Sequence, residues 1–439
     1  NIAATSGRAP ATRQRTFPMH TPHSPLRDPR SALGAGRSAF TLMELLIVLT
    51  IITILVGLSM AALVGATEQA RAARTRAIIN KIDLLIDERY QSYRTRAVPI
   101  RINPSQFTNA SPAGLWAARV RLYALRELMR MEMPDRKTDI VNSATTNPPT
   151  PEITVIPGMT QSSLQASYYR SAVRATGGNP MAPATHTSLN NWTSTHQGSE
   201  CLYLILSAMR DGEKGAIEYF STAEIGDVDG DGMKEILDAW GQPIEFLRWA
   251  PGYSEHVGPD GAWGNLGDDD GNGSDDIFEA GWPGSDDIVP LTLQTRIAVK
   301  NADNPEQLYA PDPFDPLGVD PRSCGVAMTA SGSLGTPFQD TSADTAVGNN
   351  TFALKPLIFS AGPDKVYDVA TILEDVVTNV EFRYSQTHTY TGGPRPPNDP
   401  YFVPPAAWGS LELGSVGDLD SDGSQGWADN ITNHYQENN

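Results

Sequence analysis

Cysteine is nearly absent from this 439-residue chain: only Cys201 and Cys324 occur, with no CxxC pair, which argues against a zinc site of the cysteine type. A body outside the cytoplasm would permit one disulfide between them. Cys201, within Cys-Leu-Tyr-Leu-Ile-Leu, equally fits a buried free thiol. Catalytic signatures are also missing. There is no Walker loop, no GxGxxG, no GxSxG and no HExxH, and the seven histidines (His20, His23, His186, His196, His256, His388 and His434) are scattered. No active site is assigned, and the chain reads as a non-enzyme. Basic residues are few, 33 Lys and Arg against 51 Asp and Glu, for a net charge of −18. Such a balance disfavours nucleic acid, whose phosphates need cationic partners.

The charge is divided unevenly. The first 39 residues carry six Arg and one Asp, or +5, leaving −23 on the remainder. An apolar run without any charge, Leu45–Thr67, follows this basic head and is 23 residues long. At about 1.5 Å per residue it is long enough to cross a hydrocarbon core of roughly 30 Å. A basic segment before such a run is held on the cytoplasmic side. Nothing depends on whether Met19 or an earlier residue is the start. Three readings compete for the run: a secretory signal peptide cleaved near Ala-Ala-Leu-Val-Gly-Ala, a plain membrane anchor, and a third that rests on the residues before it.

Those residues are Gly-Arg-Ser-Ala-Phe-Thr-Leu-Met-Glu-Leu-Leu, 36–46, with one carboxylate, Glu44, at the edge of the run. A lone charge entering lipid is costly, and a simple anchor has no use for it. The segment resembles the prepilin motif of type IV pilins and type II secretion pseudopilins, a small residue followed by Phe-Thr-Leu-x-Glu and an apolar helix. The resemblance implies cleavage by a prepilin peptidase after Ala39, where the family has Gly, and methylation of the new amine on Phe40. It implies that Glu44 of one subunit attracts the amine of its neighbour, each offsetting the other's burial cost in low dielectric. It implies partners as well: other pilin or pseudopilin subunits, an inner-membrane assembly platform and the membrane itself. Major pilins often carry a proline in the apolar half, and this run has none.

Past Thr67 the helix is expected to continue, because Ile78, Ile82, Ile86, Tyr90 and Tyr93 recur at steps of three and four. Pro99 marks its latest end. Residues 115–132 read as a second amphipathic helix with its four Arg on a wet face. Short helices are expected at Leu164–Val173 and Glu200–Met209, and strands at Pro243–Trp249, Leu354–Ser360 and Val377–Tyr384. Residues 391–407 are Pro-rich and read as extended or mobile. The expected organisation is a leader over 1–39, a pilin-like helix over 40–98, a mostly helical part over 99–215 and an Asp/Gly-rich strand-and-loop part over 216–439. The fold class is α+β: a long membrane-spanning helical spine packed on a globular body with a small antiparallel sheet.

Two further phrases resemble major pseudopilins: Asp238-Ala-Trp-Gly-Gln-Pro, and Ser360-Ala-Gly-Pro-Asp364, the latter similar to a segment where the family holds calcium. Three acidic loops follow the EF-hand spacing, with oxygen ligands at positions 1, 3 and 5, Gly at 6 and an acid at 12. They are Asp227, Asp229, Asp231 and Asp238; Asp268, Asp270, Asn272, Asp276 and Glu279; and Asp418, Asp420, Asp422 and Asp429. The middle one alone ends in Glu, and the bland alternative for each is a solvated Asp-Gly turn. Structural calcium is expected in one or more. The leading functional expectation is a structural subunit of a type II secretion pseudopilus or related type IV filament. The alternatives are a minor pilin or surface adhesin, and a membrane-tethered calcium-dependent binding domain.

Overall fold

A computed structural model describes residues 41–101, 113–142, 147–154, 156, 158–212, 214–251, 253, 312–317, 319–320, 354–371, 374–375, 380–384, 389–390, 393–394, 398–401, 413–416 and 429–434. The described chain is mixed α+β. The described chain divides into two units between Ala62 and Leu63, inside the first helix.

That helix, α1, spans Leu42–Ser92 and is 51 residues long. In the first unit its side chains are exposed on every face, including Leu42, Leu45, Ile47, Ile51, Ile54 and Leu58. A helix apolar all round has no wet face to offer. By length and composition this stretch is long and apolar enough to cross a membrane. In the second unit the pattern becomes one-sided. Thr75, Ile78, Ile79, Ile82, Leu85, Ile86 and Tyr90 are buried, whereas Leu84 is 74% exposed. The stripe predicted at steps of three and four is therefore one wall of the core.

Three further α-helices occur among the described residues: α2 (Ala113–Glu132), α3 (Ser163–Ala175) and α4 (Gln197–Ala208). The Ser162 hydroxyl caps α3 by accepting from Leu164 N at 3.3 Å. The wet face expected on α2 is wrong for three of its four arginines. Arg119, Arg126 and Arg130 are at most 2% exposed. Arg126 pairs with Asp320 at 2.7 Å and Asp312 at 3.2 Å, Arg130 with Glu127 at 2.8 Å, and Arg119 Nε donates to the Val319 carbonyl at 2.8 Å. Their partners include residues nearly 200 positions downstream, which no helical periodicity encodes.

Among the described residues the strands are short. β1 (Ile225–Gly226) and β2 (Glu235–Ile236) form a hairpin in which Ile225 faces Ile236. β3 (Glu245–Leu247), β4 (Leu357–Ser360) and β5 (Ile431–Thr432) form an antiparallel sheet with β4 in the centre, Phe246 opposite Ile358 and Ile431 opposite Ser360. α4 lies across β2 and β3. The approach is close, since a Cβ on Gly198 would come within 2.6 Å of the Phe246 carbonyl oxygen. Of the Pro-rich stretch, Gly393–Pro394 is extended and pairs with Thr389–Tyr390, and residues 398–401 are buried.

Candidate functional site

The N-terminus of α1 is closed by a capping box. Thr41 N and Thr41 Oγ1 both donate to Glu44 Oε2, at 2.9 and 3.0 Å, and Glu44 N donates back to Thr41 Oγ1 at 3.2 Å. The second carboxylate oxygen, Oε1, carries no hydrogen bond among the described residues. Ala39 and Phe40 lie outside the described residues. The cap is legible in Thr-Leu-Met-Glu as a helix-start signature, a role for Glu44 that the family resemblance alone does not suggest.

The segments Asp238–Pro243 and Ser360–Asp364, more than a hundred residues apart, meet in space. Asp238 Oδ1 accepts from Trp240 N at 2.8 Å and Gln242 N at 2.9 Å, and Asp238 Oδ2 accepts from Ser360 Oγ at 2.6 Å. This turn rests on α1, where Ala239 N donates to Thr75 Oγ1 at 3.1 Å and Trp240 Nε1 to Glu68 Oε2 at 2.7 Å. Asp364, closing the second phrase, donates from its amide to Asp429 Oδ2 at 3.3 Å. Burial, together with the neighbouring Asp364 charge, pushes Asp429 up to about 6. Asp429 Oδ1 is buried and has no partner among the described residues.

The first aspartate loop forms the turn of the β1–β2 hairpin, and its carboxylates fold it. Asp227 accepts from Gly230 N at 2.8 Å and Gly232 N at 3.2 Å, Asp229 from Asp231 N at 3.3 Å, and Asp231 from Met233 N at 2.8 Å. Gly232, the sixth position, has φ +98°, and a Cβ there would lie 2.7 Å from the Ala175 carbonyl oxygen. Thr193 clamps the loop from outside, its amide donating to Asp231 at 2.8 Å and its hydroxyl to Asp229 at 2.7 Å.

The acids grouped here keep positions 1, 3, 5 and 9 of the loop (Asp227, Asp229, Asp231 and Glu235), lose Asp238 at position 12 and gain Glu200 from outside it. One oxygen each of Asp227, Asp229 and Glu235 lies within 4.8 Å of the others, and one each of Glu200, Asp229 and Asp231 does the same. Asp238, expected at the twelfth position, belongs to neither group because both of its oxygens serve the turn and Ser360. The groups include Glu235, at the start of β2, and Glu200, in the first turn of α4, both 0% exposed. Glu235 Oε2 accepts from Val228 N at 3.1 Å and Glu200 Oε2 from the Trp192 indole N–H. The Oε1 of each has no partner among the described residues. Burial pushes Glu200 up to about 10, against the lowering Trp192 hydrogen bond and with the charges of Asp231 and Asp229. Burial and the charges of Asp229 and Asp227 push Glu235 up to about 7. Glu200 stands at the head of an apolar run, and no spacing rule ties it to a loop nearly thirty residues on.

The remaining predicted ligands, Asp268, Asp270, Asn272, Asp276, Glu279, Asp418, Asp420 and Asp422, lie outside the described residues, as does Cys324. Cys201 is a buried thiol in α4, raised well above its ordinary range by burial. No family model, curated protein or solved structure matches this chain.

Proposed function

We propose that this chain is a type IV pilin-like subunit of the type II secretion pseudopilin kind, and that its work is structural. The observation that carries the reading is the composition of α1. Its first half is apolar on every face and opens on the Thr41–Glu44 cap, and its second half is a one-sided core stripe. In this reading a prepilin peptidase cleaves after Ala39 and Phe40 gains a methylated amine. The basic leader faces the cytoplasm, α1 crosses the inner membrane, and the acidic body lies outside the cytoplasm. Once subunits stack, Glu44 Oε1 accepts from the Phe40 amine of a neighbour while Oε2 keeps its cap. A salt bridge formed in low dielectric is favourable only where both charges meet, so Glu44 favours the assembled state over the isolated one.

The meeting of Asp238 with Ser360 supports the pseudopilin side, because it joins two phrases that the family also carries. The family's calcium fits Asp364 and Asp429, whose buried Oδ1 has no other partner among the described residues. There an ion would tie the segment after β4 to the strand before the C-terminus. The test is cross-linking. With a cysteine at Val56, wild-type subunits co-expressed with Glu44→Ala subunits should show wild-type pairs and lose mixed ones, while both insert in the membrane. Mixed cross-links at wild-type yield would remove the pairing role.

A further inference from the structure

We infer that Glu200 and Glu235, with Asp227, Asp229 and Asp231, form a cation site that closes the β1–β2 hairpin against the first turn of α4, and that its ligand is calcium. The acid cluster alone would not require this. The second observation is the pair of buried carboxylates: Glu200 and Glu235 are each 0% exposed, and the Oε1 of each has no partner among the described residues. A buried carboxylate oxygen left without a donor is costly and rare in folded proteins. The charges that bear most on Glu200 after burial are those of Asp231, Asp229 and Glu235, all acidic. A multivalent cation among them removes the conflict.

Geometry and ligand chemistry select the ion. Oxygens within 4.8 Å of one another suit an ion with ligands about 2.3–2.6 Å away. Each triad supplies three carboxylates, and their six oxygens reach the lower end of the six to eight hard oxygens calcium takes. Magnesium holds its ligands at about 2.0–2.1 Å in near-ideal octahedral geometry and keeps several waters, so a site built of protein carboxylates alone favours calcium. Asp229 belongs to both groups and so is the pivot of the site. The site is independent of filament assembly and departs from the twelve-residue loop pattern, since one of its five acids, Glu200, lies outside that pattern and one acid of the pattern, Asp238, lies outside the site.

Trp192 provides the reporter, because its indole N–H donates to Glu200 Oε2. The full chain in detergent micelles is titrated with terbium, exciting tryptophan, and the bound terbium is then displaced with calcium or magnesium chloride. The expected result is saturable sensitised emission displaced by calcium at least tenfold more effectively than by magnesium. Trp192→Phe should lower the sensitised emission. Glu200→Gln and Asp229→Asn should each weaken calcium at this component about tenfold or more. Asp229 is exposed, so its variant keeps the fold and serves if Glu200→Gln does not. Emission and displacement unchanged in a folded Asp229→Asn or Glu200→Gln protein, or no binding at millimolar calcium, would overturn the assignment.

Discussion

Glu132 holds together the junction of α1, α2 and α3, and its removal has a calculable cost. The carboxylate is 3% exposed. Arg96 Nη2 donates to Oε1 at 2.8 Å and Arg96 Nη1 to Oε2, the Tyr93 hydroxyl donates to Oε2 at 3.0 Å, Ser162 Oγ to Oε1 at 3.1 Å, and Arg89 lies 3.4 Å away. Glu132→Ala deletes the one acid of this network among the described residues and leaves Arg89, whose side chain is 13% exposed, without that partner. Breaking a buried ion pair from one side costs about 3–5 kcal/mol. Folded domains have about 5–15 kcal/mol in all, so the loss is a large fraction. Glu132→Gln keeps the shape and an acceptor for Tyr93, and should cost less. Asp87→Asn, at an exposed pair with Gln91, should stay within about 0.5 kcal/mol. The assay is denaturant unfolding of the full chain in detergent, followed by tryptophan fluorescence. A Glu132→Ala loss below about 1 kcal/mol would refute the claim that this carboxylate fastens α1 to the body.

Other consequences are equally measurable. Gly232→Ala and Gly241→Ala both place a side chain at positive φ, +98° and +82°, but only Gly232 meets backbone, so thermal melts should show it costing clearly more than the 1–2 kcal/mol of the left-handed conformation alone. Ile82→Ala, from a fully buried site, should cost about 2–5 kcal/mol, against under 0.5 for Leu84→Ala on the exposed face, by the same unfolding assay. Burial, with the Asp135 charge and against Arg248, pushes Asp139 up to about 6. Its folded value exceeds its unfolded one, so the folded chain binds more protons between about pH 4 and 6 and this group's contribution to stability falls as pH rises through that window. Asp139→Asn should flatten that fall relative to wild type, and an unchanged slope would contradict it.

Much of the fold was legible because local periodicity carries it. The α1 stripe follows from steps of three and four, α4 from a continuous apolar run, and β3 and β4 from short apolar runs bounded by Gly and Pro. What was not legible is non-local. The buried state of Arg126 depends on Asp312 and Asp320, and nothing in Arg spacing on α2 announces partners so far away. Asp238 fits an EF-hand register by counting, yet a Trp-Gly-Gln-Pro turn immediately after it competes for the same oxygens and wins. Glu200 was readable as a polar residue heading a buried helix, but its meeting with Asp229 is set by the packing of α4 on the hairpin. The capping box at Thr41–Glu44 was written in the sequence in plain local form.

The most direct measurement of the central claim is intact and peptide mass spectrometry of the mature chain purified from membranes of cells carrying a prepilin peptidase. The account predicts an N-terminus at Phe40 with a mass increase of one methyl group, and an uncleaved leader when the peptidase is absent. A mature chain that begins near residue 67, or that retains residues 1–39 in the presence of the peptidase, would contradict it.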